Sequence, residues 1–292
     1  MRTAFINTLC ELARSNPRIT LLTGDLGFSV LEPFAREFPG QYVNVGVAEQ
    51  NLTGVAAGLA LSGRICFTYS IANFPTLRCL EQIRNDVVYH KANVKVVAVG
   101  GGFAYGSQGY THHGIEDLAV MRALPGMVVL APADPLEAAA ATRAIAAHPG
   151  PCYLRLGKAG EPVLHASPPA LEIGRAIPVR EGSDITLIST GSMLRVALRV
   201  ADALAAQGRS ARVLSMPSVK PLDDEAVRKA AEQTRVVMTL EEHSRTGGLG
   251  SAVAEVVAQM SGARATLRIW GAPDALHHRV GSQDYMLEVC GD

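Results

Sequence analysis

Between Val43 and Gly63 the chain reads VNVGVAEQNLTGVAAGLALSG. A short β-rich run over 42–45 ends at Gly46 and passes at once into a helix-forming segment. Gly54, Ala56, Ala57, Gly58 and Ala60 give that helix an almost flat surface, which lets a second helix approach closely. A strand that hands over directly to a helix is where α/β proteins place ligands, because backbone N–H groups point outward there. One carboxylate, Glu49, stands at this junction among apolar and small residues. Taken alone it has two readings. The helix dipole favours an acidic residue in the first turn, and a carboxyl in such a setting is also a candidate for proton chemistry.

The rest of the chain repeats the strand-to-helix pattern. A helix is expected over residues 2–15, with Phe5, Ile6, Leu9, Leu12 and Ala13 on one face, and a buried strand from Ile19 delivers Gly24-Asp25 at its end. A helix over 30–38 stops at Pro39-Gly40. Beyond the central stretch come a strand at 64–69, a helix at 74–90, a strand at 94–99, and a glycine-dense loop. A helix at 115–123, a strand at 127–131, a helix at 134–147 capped by Asp134, and a strand at 152–156 complete this half. Apolar strands with little alternation mean a parallel sheet covered on both faces. Residues 157–171 are rich in Gly, Pro and Ala and form the linker. A smaller α/β unit follows, with strands near 184–189, 211–216, 236–240 and 266–270 and helices near 193–207, 223–232 and 249–260.

A length of 292 residues is comfortable for two domains, and a hydrophobic content of 48% allows a substantial core. Basic and acidic residues balance at 27 each, so no global field draws the chain to nucleic acid or to a membrane surface. No apolar run approaches the roughly 20 residues that span a bilayer, and the first residues read as an amphipathic helix rather than a secretory leader. Five scattered cysteines without CxxC spacing suit reduced thiols in the cytoplasm.

Several residues carry candidate chemistry. The loop GGGFAYGSQGYTHHG, Gly100 to Gly114, holds six glycines, which lets backbone approach something bulky. It lacks the lysine and spacing of a phosphate-binding P-loop, and its adjacent His112 and His113 cannot easily chelate one metal. Such histidines are more often surface or capping residues than catalysts. Tyr69, Ile71 and Phe74 lie between a strand and a helix, where an aromatic ring either stacks on a planar ligand or staples the helix. Arg78, Glu81, Arg84 and Asp86 read as helix-face ion pairs. Arg155 ends the last strand of the first half, free to bind an anion or to pair with a carboxylate. Glu241-Glu242-His243 followed by GGLG ends a strand of the second unit and reads as a tight turn packed at a domain or subunit contact. No GxSxG elbow and no metal-ligand cluster occur, so the residues alone name a site and not a reaction.

Taken together, GVAEQNLTGVAAGLALSG, Phe74 with Glu81-Gln82-Ile83-Arg84-Asn85, THHGIED, MRALPGMVVLAPAD and the late EEH…GGLGSAV resemble the C-terminal half of transketolases in order and over essentially the whole chain. The resemblance is strongest to split transketolases, in which this half is a separate polypeptide. It implies an α/β architecture with a pyrimidine-binding parallel-sheet domain of the thiamine diphosphate-binding fold at 1–160, then a smaller transketolase C-terminal domain at 172–292. It further implies thiamine diphosphate as cofactor. Glu49 then matches the carboxyl that hydrogen-bonds the aminopyrimidine and drives it toward its imino form. Phe74 matches the ring that stacks on the pyrimidine, and Ile71 stands where many members have a second Phe. Tyr69 joins this cofactor group.

His112 matches a histidine that donates a proton to, or polarises, the reacting sugar. Arg155 matches an arginine for a terminal anion, and Gln108 and Asp25 complete the expected substrate contacts. Ser107-Gln108 replaces the Glu-Asp of the usual loop, and Gly100 replaces a histidine. Both changes point away from ordinary pentose phosphates toward a modified sugar or another ketose. The family binds Mg2+ and diphosphate through GDG followed by Asn. The two Gly-Asp pairs here, Gly24-Asp25 and Gly291-Asp292, do not continue that way, so an N-terminal partner subunit is expected to hold the metal. Homodimerisation through this half would give a heterotetramer. Two other enzyme readings share much of this pattern, the β-type subunit of a 2-oxo-acid dehydrogenase and a deoxyxylulose-phosphate-synthase-like enzyme. A regulatory subunit with a vestigial cofactor fold is the non-enzyme reading.

Overall fold

A computed structural model describes residues 1–262 and 264–290; Gly291 and Asp292 lie outside the described residues. Helix α1 (Arg2–Ser15) buries Phe5, Ile6, Leu9 and Ala13 along one stripe, as their helical spacing predicts. Next come β1 (Ile19–Thr23), α2 (Glu32–Glu37), β2 (Tyr42–Asn44), α3 (Glu49–Leu61) and β3 (Ile65–Ile71). A short α4 (Leu80–Gln82) continues as a π-helix over Ile83–Val88, then β4 (Val94–Val99), α5 (Asp117–Ala123), β5 (Val128–Leu130), α6 (Pro135–Ala147) and β6 (Cys152–Leu156) follow. The Asp134 carboxylate accepts from Glu137 N and caps α6.

The helix expected over 74–90 forms only in part. Pro75 supplies no N–H, and the segment starts as turns in which Phe74 N donates to Ile71 O and Cys79 N to Thr76 O. Its later half widens to the π pattern, with Tyr89 N reaching Arg84 O. Strand β3 also runs two residues further than expected, so Tyr69, Ser70 and Ile71 belong to it.

Strands of the first sheet lie in the order β5-β6-β4-β3-β1-β2, all parallel. Its two faces are covered, and successive side chains alternate between them. Leu21, Phe67, Tyr69, Val97 and Val99 face α1 and α6. Leu22, Cys66, Val94, Val96 and Ala98 pack with Leu52 and Ala56 of α3, Ile83 and Val87 of the π-helix, and Leu118 and Met121 of α5.

The C-terminal unit contains β7 (Ile177–Arg180), β8 (Ile185–Ser189), α7 (Leu194–Ala205), β9 (Ala211–Ser215), β10 (Ser218–Lys220) and α8 (Asp224–Gln233). It ends with β11 (Val236–Ser244), α9 (Leu249–Ala258), β12 (Thr266–Ala272) and α10 (Gln283–Cys290). Its sheet runs β12-β11-β8-β9-β7, parallel except for β7, which lies antiparallel against β9. Both sheets are therefore mixed, because β10 leaves this unit and pairs antiparallel with β5 at the edge of the first sheet. Three short elements, β7, β10 and α10, go beyond the pattern expected from sequence. Lys220, on β10, donates from Nζ to Arg122 O (2.8 Å) and Leu124 O (2.5 Å) at the C-terminal end of α5. No helix among the described residues is long and apolar enough to cross a membrane.

Candidate active site

The carboxyl ends of β4, β3, β1 and β2, neighbours in the sheet, all open on one side of the first domain, the side on which open α/β sheets bind ligands. Glu49 is the first residue of α3 and only 2% exposed. Its Oε1 lies 3.5 Å from Ser70 Oγ, and its Oε2 accepts from Arg78 Nη1 at 2.7 Å. Arg78 is thus not one of a row of helix-face ion pairs, since the turn at Pro75 carries it out of register and back over α3. Its guanidinium Cζ also sits 4.6 Å from the centroid of the Phe74 ring.

Phe74 meets His112 edge-on, with ring centroids 5.2 Å apart. The loop is fastened for this encounter by Asn73, whose Nδ2 donates to His113 O at 2.5 Å. His112 Nδ1 is 3.0 Å from Thr111 Oγ1, and Tyr105 packs edge-on to the same imidazole at 6.4 Å. His113, by contrast, is buried against Phe103, and burial pushes its pKa down. Glu49, Arg78, Phe74 and His112 therefore form one continuous cluster drawn from α3, the turn after β3, and the glycine loop.

The other expected site residues divide. Ile71 is half-buried at the end of β3. Asp25 is exposed after β1, where Asn44 Nδ2 donates to its Oδ1 at 2.9 Å. Gln108 and Ser107 are exposed on a tight helical turn of the glycine loop. Tyr69 is placed away from the cluster. Its ring stacks on Phe5 at 6.0 Å beneath α1, because odd-numbered residues of β3 face that layer. Ser70, one residue on, has the side chain that reaches Glu49, and only the phase of the strand distinguishes the two.

Arg155 is likewise engaged inside the protein. It is buried, its Nε lies 3.0 Å from Asp117 Oδ2, and its Nη2 donates to Gly114 O and, at 2.8 Å, to Glu242 O. Burial forces this guanidinium to find its partners inside the protein. Lys158, three residues later, is a cation near the loop. Its Nζ lies 5.5 Å from the Tyr105 ring centroid, and it lines a cavity of about 250 Å3 with Ser107, Ser192 and Arg195.

The Glu241–His243 run lies at the buried end of β11, which continues to Ser244, at the contact between domains. Glu242 accepts from Phe103 N at 2.6 Å, from Ser192 Oγ, and from Gln283 Nε2 at 2.8 Å, and burial pushes its pKa up. Gly102 has φ +67°, and a Cβ there would overlap the Glu242 carboxyl, which accounts for one glycine of the loop. Glu241 accepts from Leu249 N (2.6 Å) and Gly250 N (2.8 Å), while Asp117 accepts from Tyr153 OH. The C-terminal domain thus grips the root of the loop that presents His112.

Comparison with known proteins gives a consistent result. The family described as "Transketolase, pyrimidine binding domain" matches residues 1–160, and "Transketolase, C-terminal domain" matches residues 174–289. The chain is 41% identical over 94% of its length to one subunit of the apulose-4-phosphate transketolase of Phocaeicola vulgatus, covering 87% of that polypeptide. It is 39% identical over its full length to the "6-deoxy-6-sulfo-D-fructose transketolase subunit SqwH" of Clostridium sp. strain MSTE9, covering 90% of it. A solved structure described as "Split gene transketolase, inactive beta4 tetramer" superimposes with a TM-score of 0.89 at 40% identity, over 99% of this chain and 92% of that one.

Proposed function

The chain belongs to the transketolase family, and from that premise we propose that it is the pyrimidine-binding C-terminal subunit of a two-component transketolase, moving a two-carbon ketol unit from a ketose to an aldose. The observation that carries this reading is the buried Glu49 in one cluster with Phe74 and His112. That Glu49 and Phe74 already hold a flat N–H donor between them, the Arg78 guanidinium, supports their fit to an aminopyrimidine. Thiamine diphosphate, when bound, supplies the nucleophilic carbon for the ketose carbonyl.

Each residue of the chain then has a task. Glu49 holds and returns a proton at the pyrimidine ring nitrogen, shielded from water by its burial. Phe74 supplies a stacking face. His112, its Nδ1 engaged by Thr111, turns Nε2 toward the sugar and donates a proton to the developing alkoxide. Mg2+ and the diphosphate are assigned to an N-terminal partner subunit, since the matched families account for the pyrimidine half and the C-terminal domain. Two copies of each subunit form the heterotetramer.

The substrate is an anionic modified sugar. The two relatives above are named for a sugar phosphate and a sulfo-sugar, and uncharged Ser107 and Gln108 occupy the loop beside Lys158. Lys158 replaces Arg155 as the cation for the anionic end, and Asp25 and Gln108 contact sugar hydroxyls. We place the protein in the cytoplasm, in keeping with five free, buried thiols.

The deciding experiment is to co-express the chain with its N-terminal partner and to measure thiamine diphosphate binding and ketol transfer from a panel of phosphorylated and sulfonated ketoses. Expected are cofactor binding and transfer by the complex, and negligible transfer by the chain alone. A complex that neither binds the cofactor nor transfers ketol would refute the proposal.

A further inference from the structure

Arg78 touches the two groups that, on the functional reading above, hold the aminopyrimidine. Nη1 donates to Glu49 Oε2 at 2.7 Å, and Cζ lies 4.6 Å from the Phe74 centroid. A guanidinium is planar, delocalised and edged with N–H donors. Like an aminopyrimidine it is flat, lies against an aromatic face and sets a nitrogen edge at the carboxyl, although it brings an N–H donor where the ring nitrogen brings a lone pair. We propose that Arg78 is an internal occupant of the pyrimidine position, a plug that the cofactor displaces when the subunits assemble around it. This inference rests on the functional reading and adds a step to it.

The geometry supports displacement rather than coexistence. Oε1 of Glu49 is turned inward to Ser70, so Oε2 is the oxygen open to a ligand, and Arg78 already occupies it. The two partners also require different protonation of that carboxyl. The guanidinium pairs with the carboxylate, whereas a ring nitrogen with its lone pair accepts a proton from the acid. Nor is Arg78 anchored. Its side chain is 47% exposed, and Glu49 is its one ion-pair partner among the described residues. It can swing into water without disturbing the core. The plug has a use in the free subunit, because it compensates a carboxyl that would otherwise be buried and unpaired. Its cost is a lowered apparent affinity for the pyrimidine, by the fraction of time the position is closed.

The test titrates thiamine, which carries the aminopyrimidine without the diphosphate, into the full-length chain by calorimetry, and thiamine diphosphate into the complex with the partner. Arg78→Met should bind both at least about tenfold more tightly than wild type. Arg78→Lys should fall between them, since an ammonium neither forks nor lies flat. Thermal melting without ligand should show Arg78→Met destabilised and still cooperative, which separates a lost plug from a lost fold. Equal or weaker binding by Arg78→Met in a complex that does bind the cofactor overturns this inference alone, and makes Arg78 a support for Glu49. If no form of the complex binds thiamine diphosphate, the functional reading falls and takes the inference with it.

Discussion

Glu49 has two possible duties, and they predict different outcomes. As an acidic first-turn residue it would be worth about 1 kcal/mol through the helix dipole, with no effect on rate per folded molecule. As the proton-holding group, its replacement in Glu49→Gln should slow deuterium exchange at the thiazolium carbon of the assembled complex by roughly 10²- to 10⁴-fold. A lowered melting temperature with normal exchange would leave Glu49 a structural residue. His112→Ala should cut turnover by about 10²-fold and spare cofactor affinity, whereas His113→Ala, in a buried ring, should chiefly lower stability. Lys158→Gln should raise KM for anionic ketoses about tenfold or more, and leave neutral ketoses unaffected; a uniform effect would remove Lys158 from the substrate path.

The pair Glu241 and His243, 3.7 Å apart, makes a prediction about pH. Burial pushes Glu241 up from 4.5 to about 7, so the folded chain holds the extra proton there and its contribution to stability falls as pH rises through that window. Burial pushes His243 down from 6.5 to about 4, so the unfolded chain holds the extra proton and stability rises with pH between those values. The two slopes oppose each other where the windows overlap. Glu241→Gln should expose the histidine slope, with stability rising on the order of 1–3 kcal/mol between pH 4 and 6.5 in urea titrations. A flat profile would show that His243 titrates normally.

At the level of elements, the apolar strands and their helices were legible because the sheet is covered on both sides, so strand 94–99 reads as an unbroken run of buried residues. That same cover hides phase. Nothing in FTYSI says which neighbour faces α1, so the sequence does not choose between Tyr69 and Ser70 for the site. The residues after Phe74 carry helical spacing, and only the turn at Pro75 brings Arg78 back to Glu49. Arg155 looked available because its partners, Asp117 and the backbone of Glu242, are far from it in the chain. The glycine loop was recognisable as a close approach, but the thing approached, the Glu242 carboxyl, comes from the other domain. Gly102→Ala should therefore lower turnover by displacing the loop that carries His112, with cofactor affinity at Glu49 and Phe74 little changed. The linker is held in a similar way. His165 Nε2 meets Glu137 Oε1 at 2.7 Å, and this hydrogen bond raises its pKa. The stabilisation is complete below the ordinary histidine value and is lost as pH rises through the raised one. Proteolysis of the linker should accelerate on the alkaline side in wild type and be fast at all pH values in His165→Ala.

At the level of the whole molecule, the two domains share more than a contact surface. The loop bearing His112 is clasped by β11 and α10, and the edge of the first sheet is closed by β10. Deleting residues 172–290 should abolish transfer in the complex and also make the remaining half aggregate, which a merely appended domain would not do. The antiparallel strand β10 further sets an order of events on the ribosome. Strand β5 leaves the exit tunnel well before residues 218–220 exist to cover it. At about 5–20 residues per second, the nascent first domain waits several seconds with a raw strand edge open to any other nascent chain. Ribosomes crowded on one message are the nearest source of such chains, so the yield of this subunit should depend on the spacing between them, and on how quickly a chaperone reaches that edge.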